Sequence, residues 1–298
     1  MTNNVPLVSV LMTAYNRQQF IAEAIESVLA STFENWELII VDDGSKDNTV
    51  SIARDFANKD KRIKVYINEK NLGDYPNRNR AAGYAKGEYL MYVDSDDQLY
   101  ADSLQKAVDI MVSFPKAGYG TAGPLQISEP KLMDSREVLR HHFFNKPILM
   151  YGPGAMIIRN DFFKLIKGFS EKYGPANDMY FHLKAASAKP LVLLPFEMVK
   201  YRRHDGQEIN NHFSYLSNNY LYQKDALSEL NLFLNEEEKK YLNLKNKRRY
   251  AVNVIKFFFK TGSLPKIKRS LNTTKFTLRD FLEATFHHYS HGQLPIKR

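Results

Sequence analysis

The stretch Tyr89-Leu90-Met91-Tyr92-Val93-Asp94-Ser95-Asp96-Asp97 joins an apolar run to three carboxylates within four positions. An apolar run of this length, bounded by polar residues, reads as a buried strand. Carboxylates crowded at a strand end repel one another unless something positive joins them. Two readings stand. The cluster holds a hard divalent cation, Mg²⁺ or Mn²⁺, which favours carboxylate and phosphate oxygens; or it is a solvated turn whose Asp residues cap the next helix.

The preceding chain bears on that choice. Leu7-Val8-Ser9-Val10-Leu11-Met12, Trp36-Glu37-Leu38-Ile39-Ile40-Val41 and Ile63-Lys64-Val65-Tyr66-Ile67 read as three further strands. Between the first two, Phe20, Ile21, Ala24, Ile25, Val28 and Leu29 recur at helical steps. Asp47-Asn48-Thr49 can cap a second helix carrying Val50, Ile52, Ala53 and Phe56, and residues 77–86 form a third that closes at Gly87. Four alternations of strand and helix predict βαβ units, hence a mainly parallel sheet covered by helices. Ligands of such sheets bind beyond the carboxyl ends of the strands. Thr13-Ala14-Tyr15-Asn16, Asp42-Asp43-Gly44-Ser45 and Asp94-Ser95-Asp96-Asp97 should therefore open onto one edge. There Tyr15 could stack on a flat base and Asp43 could accept from a base N–H.

These residues resemble the family-2 glycosyltransferases of the GT-A fold. The resemblance is carried by Val8 to Asn16, Glu37 to Thr49, Asn71-Leu72-Gly73, Arg78-Asn79, Ala85 to Tyr89 and Tyr92 to Asp97, and covers residues 7 to about 104. It implies a nucleotide site formed by Thr13, Tyr15, Asp43, Arg78, Asp94 and Ser95, with Asp96 and Asp97 on a divalent metal. It also implies an inverting transfer of sugar from a nucleoside diphosphate, UDP for preference, to a saccharide or lipid-linked acceptor in polysaccharide or glycolipid synthesis. One departure is Ala81, where many relatives carry Gly.

Downstream the match is looser. Gly154 to Arg159, Gly168-Phe169 and Asn177-Asp178 correspond to family elements, and Asp178 takes the position of the catalytic base. Asn177 departs from the usual Glu-Asp pair. Tyr201-Arg202-Arg203-His204 resembles a closing element that would bring His204 to the metal. His141, His142, His287, His288 and His291 receive no role. Residues 104–114, 132–144, 159–166 and 177–186 read as helices, and 118–127, 155–158 and 191–201 as extended chain. The expected division is a catalytic domain over 1–212, with a nucleotide half at 1–104 and an acceptor half at 105–212, followed by a helical region at 213–298.

Charge is uneven. The 298 residues carry a net +9, with no Cys. Residues 239–298 hold 15 Lys or Arg against 2 acids, while the rest hold 27 against 31. A body without a basic excess speaks against nucleic acid as partner. The basic section at 239–269, interleaved with Phe and Ile, leaves peripheral contact with an anionic membrane open beside a helical lid or an oligomer contact between copies. The Cys-free composition and the lack of a signal-like N-terminus or membrane span lead to an expected cytoplasmic location, with attachment at the inner membrane face as the variant. A nucleotidyltransferase would normally carry a Gly-rich phosphate loop after the first strand, and Thr13-Ala14-Tyr15-Asn16 has no Gly. The rival from another class is a non-catalytic sugar-nucleotide-binding protein.

Overall fold

The computed structural model describes residues 5–123, 125–204 and 211–286. Its first four strands are β1 (Val8–Ala14), β2 (Trp36–Asp42), β3 (Ile63–Ile67) and β4 (Tyr89–Tyr92). They lie in the order β3-β2-β1-β4 and all run parallel. The crossovers contain α1 (Ile21–Leu29), α2 (Thr49–Lys59) and α3 (Asp74–Tyr84). These strands are apolar on both faces because both faces are covered. Val10, Met12, Leu38, Ile40 and Met91 enter one core, and Leu11, Ile39, Val41, Leu90 and Tyr92 enter the other. Alternate residues thus serve opposite faces, as strand geometry requires.

The rest of the sheet is more mixed. After β5 (Gln98–Leu99) and α4 (Ser103–Ser113) come β6 (Tyr119–Ala122), β7 (Lys131–Met133) and α5 (Ser135–Phe144). Then follow β8 (Met156–Arg159), α6 (Asn160–Leu165), α7 (Asn177–Ala188), β9 (Leu191–Leu194) and β10 (Val199–Lys200). β8 inserts antiparallel between β4 and β6, and the eight-stranded sheet ends β6-β9-β7. β10 pairs antiparallel with β5 in a separate two-stranded ribbon.

Three boundaries differ from the sequence reading, each for a local reason. α3 starts at Asp74, three residues early, with Pro76 inside its first turn. Pro is tolerated there because those N–H groups have no intrahelical acceptor. Leu132 and Met133 belong to a strand, because extended Asp134 accepts a 2.8 Å bond from the Glu137 N–H and starts the helix after itself. The run 191–201 is divided at Pro195 between two sheets.

The C-terminal region is helical: α8 (His212–Glu229), α9 (Glu236–Thr261), α10 (Leu264–Thr274) and α11 (Leu278–Phe286). α8 braces α7 and the turn before it. The hydroxyls of Tyr173 and Tyr180 donate to Asp225 (2.8 Å) and Glu229 (2.9 Å). The start of α9 braces α5 through buried Glu238, 2.7 Å from Arg140. Farther along, Leu216, Tyr220, Tyr250, Val254 and Phe276 form a core of the helices' own. No helix among the described residues is long and apolar enough to cross a membrane.

Gly87 links α3 to β4 beneath β1, and a Cβ there would lie 2.6 Å from the Ser9 nitrogen and 2.7 Å from the Leu7 oxygen. Both are backbone atoms that cannot swing aside. Gly87→Ala is expected to cost about 1–3 kcal/mol of stability, seen as a lower urea midpoint at unchanged slope.

Candidate active site

Register decides where the loops meet. Ala14 is level with Asp42, so β1 and β2 end together. Leu11 is level with Tyr92, and the chain past β4 keeps to the side of β1: Val93 N–H donates to the Leu11 carbonyl at 3.0 Å and Ser95 Oγ to the Thr13 carbonyl at 2.8 Å. The three polar loops therefore converge at one sheet edge. Asn16 stitches two of them together from a left-handed conformation (φ 52°). Its Oδ1 accepts from Lys46 N–H and its own N–H donates to Ser45 Oγ, both at 2.8 Å. Tyr15 remains 45% exposed at the mouth of this edge.

Asp42 and Asp43 have separate tasks. Asp42 closes its own turn, accepting from the N–H groups of Gly44 (3.0 Å) and Ser45 (2.8 Å). Asp43 is buried and holds the 71–73 loop, accepting from Asn68 Nδ2 (2.7 Å), Leu72 N–H (2.8 Å) and Gly73 N–H (2.9 Å). A carboxylate offers about four acceptor positions. Three are filled by the protein, which leaves room for one further donor.

The carboxylates of Asp94, Asp96 and Asp97 present oxygens within 4.8 Å of one another. Asp97 is buried, and its Oδ1 accepts from Arg202 N–H at 2.9 Å. Burial pushes its carboxyl up to about 7, and Asp94 and Asp96 push the same way. Asp96 Oδ2 lies 3.1 Å from Arg17 Nε and 3.0 Å from His204 Nε2. Asp94 Oδ1 accepts a 2.6 Å bond from Arg78. Three hard oxygen donors forced together, with one carboxyl driven toward protonation, fit a small divalent cation. Its charge would replace the repulsion with attraction.

Arg78 is the hub of this edge. It is buried on α3, and its Nε lies 2.8 Å from Asp74 Oδ1 while its Nη1 holds Asp94. Burial opposes its charge, yet Asp74 and Asp94 outweigh that and hold it firmly cationic. Asp178 lies in the first turn of α7 and is half-buried. Burial raises its carboxyl to about 7, against the pull of the Met179 N–H (2.7 Å) and of Arg78. Its own N–H donates to the Tyr75 hydroxyl at 3.3 Å. Neighbouring Asn177 accepts from Tyr173 N–H (3.1 Å) and donates to the Gly174 carbonyl (2.8 Å). A carboxylate could not make the second bond, which gives a local reason for amide at this position.

The Gly168-Phe169 pair docks onto α3. Asn79 grips the Phe169 backbone in both directions, at 2.9 and 3.0 Å. Gly168 has φ 56°, and a Cβ there would meet Asn79 Oδ1 at 2.6 Å. Phe169 in turn packs on Tyr75 and Tyr92, behind the site.

The structure thus brings Thr13, Tyr15, Asp43, Arg78, Asp94, Ser95, Asp96, Asp97 and His204 to one edge, with Asp178 linked through Tyr75. Ser95 contributes mainly as a tie to β1. Three participants escaped the sequence reading: Arg17, Asp74 and Tyr75. The Asp74–Arg78 spacing of four within a helix was the available signal. His182 and His142 are core groups that burial pushes down to about 4 and about 3. His287, His288 and His291 lie outside the described residues.

The site is thus a parallel sheet edge with three clustered carboxylates, and a recessed carboxyl, Asp178, tied to Tyr75. The model of the family "Glycosyl transferase family 2" matches residues 9–168. A Haemophilus influenzae protein described as an uncharacterized glycosyltransferase is 34% identical over 230 residues, which is 70% of each chain. The Escherichia coli UDP-Glc:alpha-D-GlcNAc-diphosphoundecaprenol beta-1,3-glucosyltransferase WfgD is 41% identical over 106 residues, 36% of this chain and 41% of that protein. Among solved structures, S. aureus TarS 1-349 in complex with UDP-GlcNAc superposes with a TM-score of 0.68 at 21% identity, over 90% of this chain and 80% of that one. This chain belongs to glycosyl transferase family 2. It is a glycosyltransferase, and its fold is GT-A with a helical C-terminal region.

Asp96→Ala removes one of the three oxygens while leaving half-exposed partners free to meet water. It is expected to weaken Mn²⁺-dependent UDP binding about tenfold or more, measured by calorimetry with and without the metal.

Proposed function

We propose that the protein moves a sugar from a UDP-linked donor to an acceptor hydroxyl, with inversion at the anomeric carbon, during synthesis of a cell-surface polysaccharide or glycolipid. The observation that carries this reading is the pairing of a carboxylate triad with a recessed Asp178 across the buried cation Arg78. Tyr15 stacks on the base and Asp43 accepts its N–H at the remaining lone pair. Thr13, Ser95, Asp94 and Arg78 border the ribose and phosphates. Asp96 and Asp97, with His204 beside them, hold a divalent cation. Bound Mn²⁺ or Mg²⁺ supplies Lewis-acid stabilisation of the departing diphosphate.

The chain's own chemistry is proton transfer. Asp178 takes the proton of the attacking hydroxyl as general base. A carboxyl ordinarily ionised at pH 4 is a weak base; raised to about 7 it is matched to neutral conditions. The UDP reading is supported by the similarity to a protein solved with UDP-GlcNAc and to one named for UDP-Glc. The latter's named acceptor is lipid-linked, which supports a saccharide or lipid-linked acceptor here. The basic helices would then be the part of the chain nearest the inner membrane face.

Below about pH 7 Asp178 is protonated and cannot accept; above it the base is free. kcat/KM should therefore rise with pH through an acid limb near 7 and level off above it. Asp178→Asn should abolish transfer, about 10²–10⁴-fold or more, while UDP affinity by calorimetry stays within about twofold. Wild-type transfer in that variant would remove the assignment, and sugar-nucleotide binding without any turnover in the parent would favour a non-catalytic binder. Asp74 pushes the Asp178 carboxyl upward. Asp74→Asn is accordingly expected to move the acid limb to lower pH, read from the same rate profile.

A further inference from the structure

The outer face of α9 does not belong to any core described above. Tyr250, Ala251 and Val254 turn inward. Val252, Ile255 and Phe259, spaced at three and four, turn outward and are 42%, 50% and 82% exposed. Gly262, at φ 63°, ends the helix and reverses the chain into α10, where Leu264 is 64% exposed. The corner therefore presents Ile255, Phe258, Phe259 and Leu264 together. Around them stand the exposed cations Lys256, Lys260, Lys268 and Arg269. Residues 239–279 contain 13 Lys or Arg and no acid, and the acids that follow, Asp280 and Glu283, pair with Lys247 and Arg279.

The sign of that charge decides between occupants. A second copy docking through this face by two-fold symmetry would set the same cations against themselves. A bilayer containing anionic lipid complements both features at once. Its phosphates attract the lysines, and its acyl boundary takes the rings.

We propose that the α9–α10 corner is a membrane-docking tip, with Ile255, Phe259 and Leu264 entering the interface of an anionic bilayer and Lys256, Lys260, Lys268 and Arg269 lying at its phosphates. This rests on the reading that the acceptor is lipid-linked, and gives that reading a surface. The tip holds the catalytic domain on the membrane, where no helix among the described residues is long and apolar enough to cross.

The test is sedimentation of the full chain with acceptor-free vesicles, either phosphatidylcholine alone or with phosphatidylglycerol. Binding should require phosphatidylglycerol and weaken with salt. Ile255→Glu with Phe259→Glu should lower the partition coefficient about tenfold or more. Lys256→Gln with Lys260→Gln should lower it about fivefold per charge at low salt. All four side chains are exposed, so donor hydrolysis should be unchanged in both variants, which also serves as the folding control. No pelleting of the parent, or equal pelleting of parent and variants, would overturn the proposal. So would a parent that is multimeric by light scattering and dissociates on the Glu substitutions, since a second copy would then occupy the face. Vesicle binding by a parent that transfers only to soluble saccharides would keep the tip and remove the lipid-linked acceptor.

Discussion

The buried guanidinium of Arg78 is the constraint on which the rest of the site depends. Taking such a charge out of water is costly unless opposite charges meet it, and removing one partner of a buried pair typically costs about 3–5 kcal/mol. Arg78 meets Asp94 from the β4 loop and Asp74 from its own helix. One cation thereby fixes the distance between α3 and the carboxylate cluster. Asn79, next in sequence, fixes α3 to Phe169, beyond α6. Two adjacent residues thus tie α3 to the carboxylate cluster on one side and to the Gly168-Phe169 segment on the other.

Electrostatics and packing support each other here. Asp97 and Asp178 are both carried to about 7, with burial the leading cause in each. Their neighbours differ. Asp97 sits among like charges, so a metal ion would restore its ionised form. Asp178 lies beside Tyr75, with Arg78 and Asp74 acting on it in opposite senses. Two carboxyls at the same value therefore suit different chemistry because of what lies next to them.

Much of the parallel half of the sheet was readable in the chain. Val8 to Met12 and Leu38 to Val41 are apolar at every or nearly every position, a pattern that only a strand covered on both faces produces. The polar residues that follow each strand then had to share an edge. Less was readable where long-range contacts override local pattern. Nothing in the sequence marks Asp43 as already engaged by three N–H donors, because those come from residues 25 to 30 positions away. Leu132 looks helical beside Val138 and Leu139, yet it pairs with β9 because the sheet edge is open there. The chain after β4 mixes parallel and antiparallel pairs, and its short strands carry little periodicity.

The hydroxyls of Tyr173 and Tyr180, which reach to α8, bear on how such enzymes diversify. Tyr180 lies two residues from Asp178 on the same helix, and its partner Glu229 ends α8. Tyr173 and Asp225 repeat the link one turn away. Hydrogen bonds to a charged acceptor contribute about 1.5–3 kcal/mol each, enough to fix how α7 is seated. The helical extension is consequently not a module to be grafted freely between relatives. A lineage that exchanged it would also inherit a new tilt of the helix bearing Asp178, so the appendage and that carboxyl must drift together.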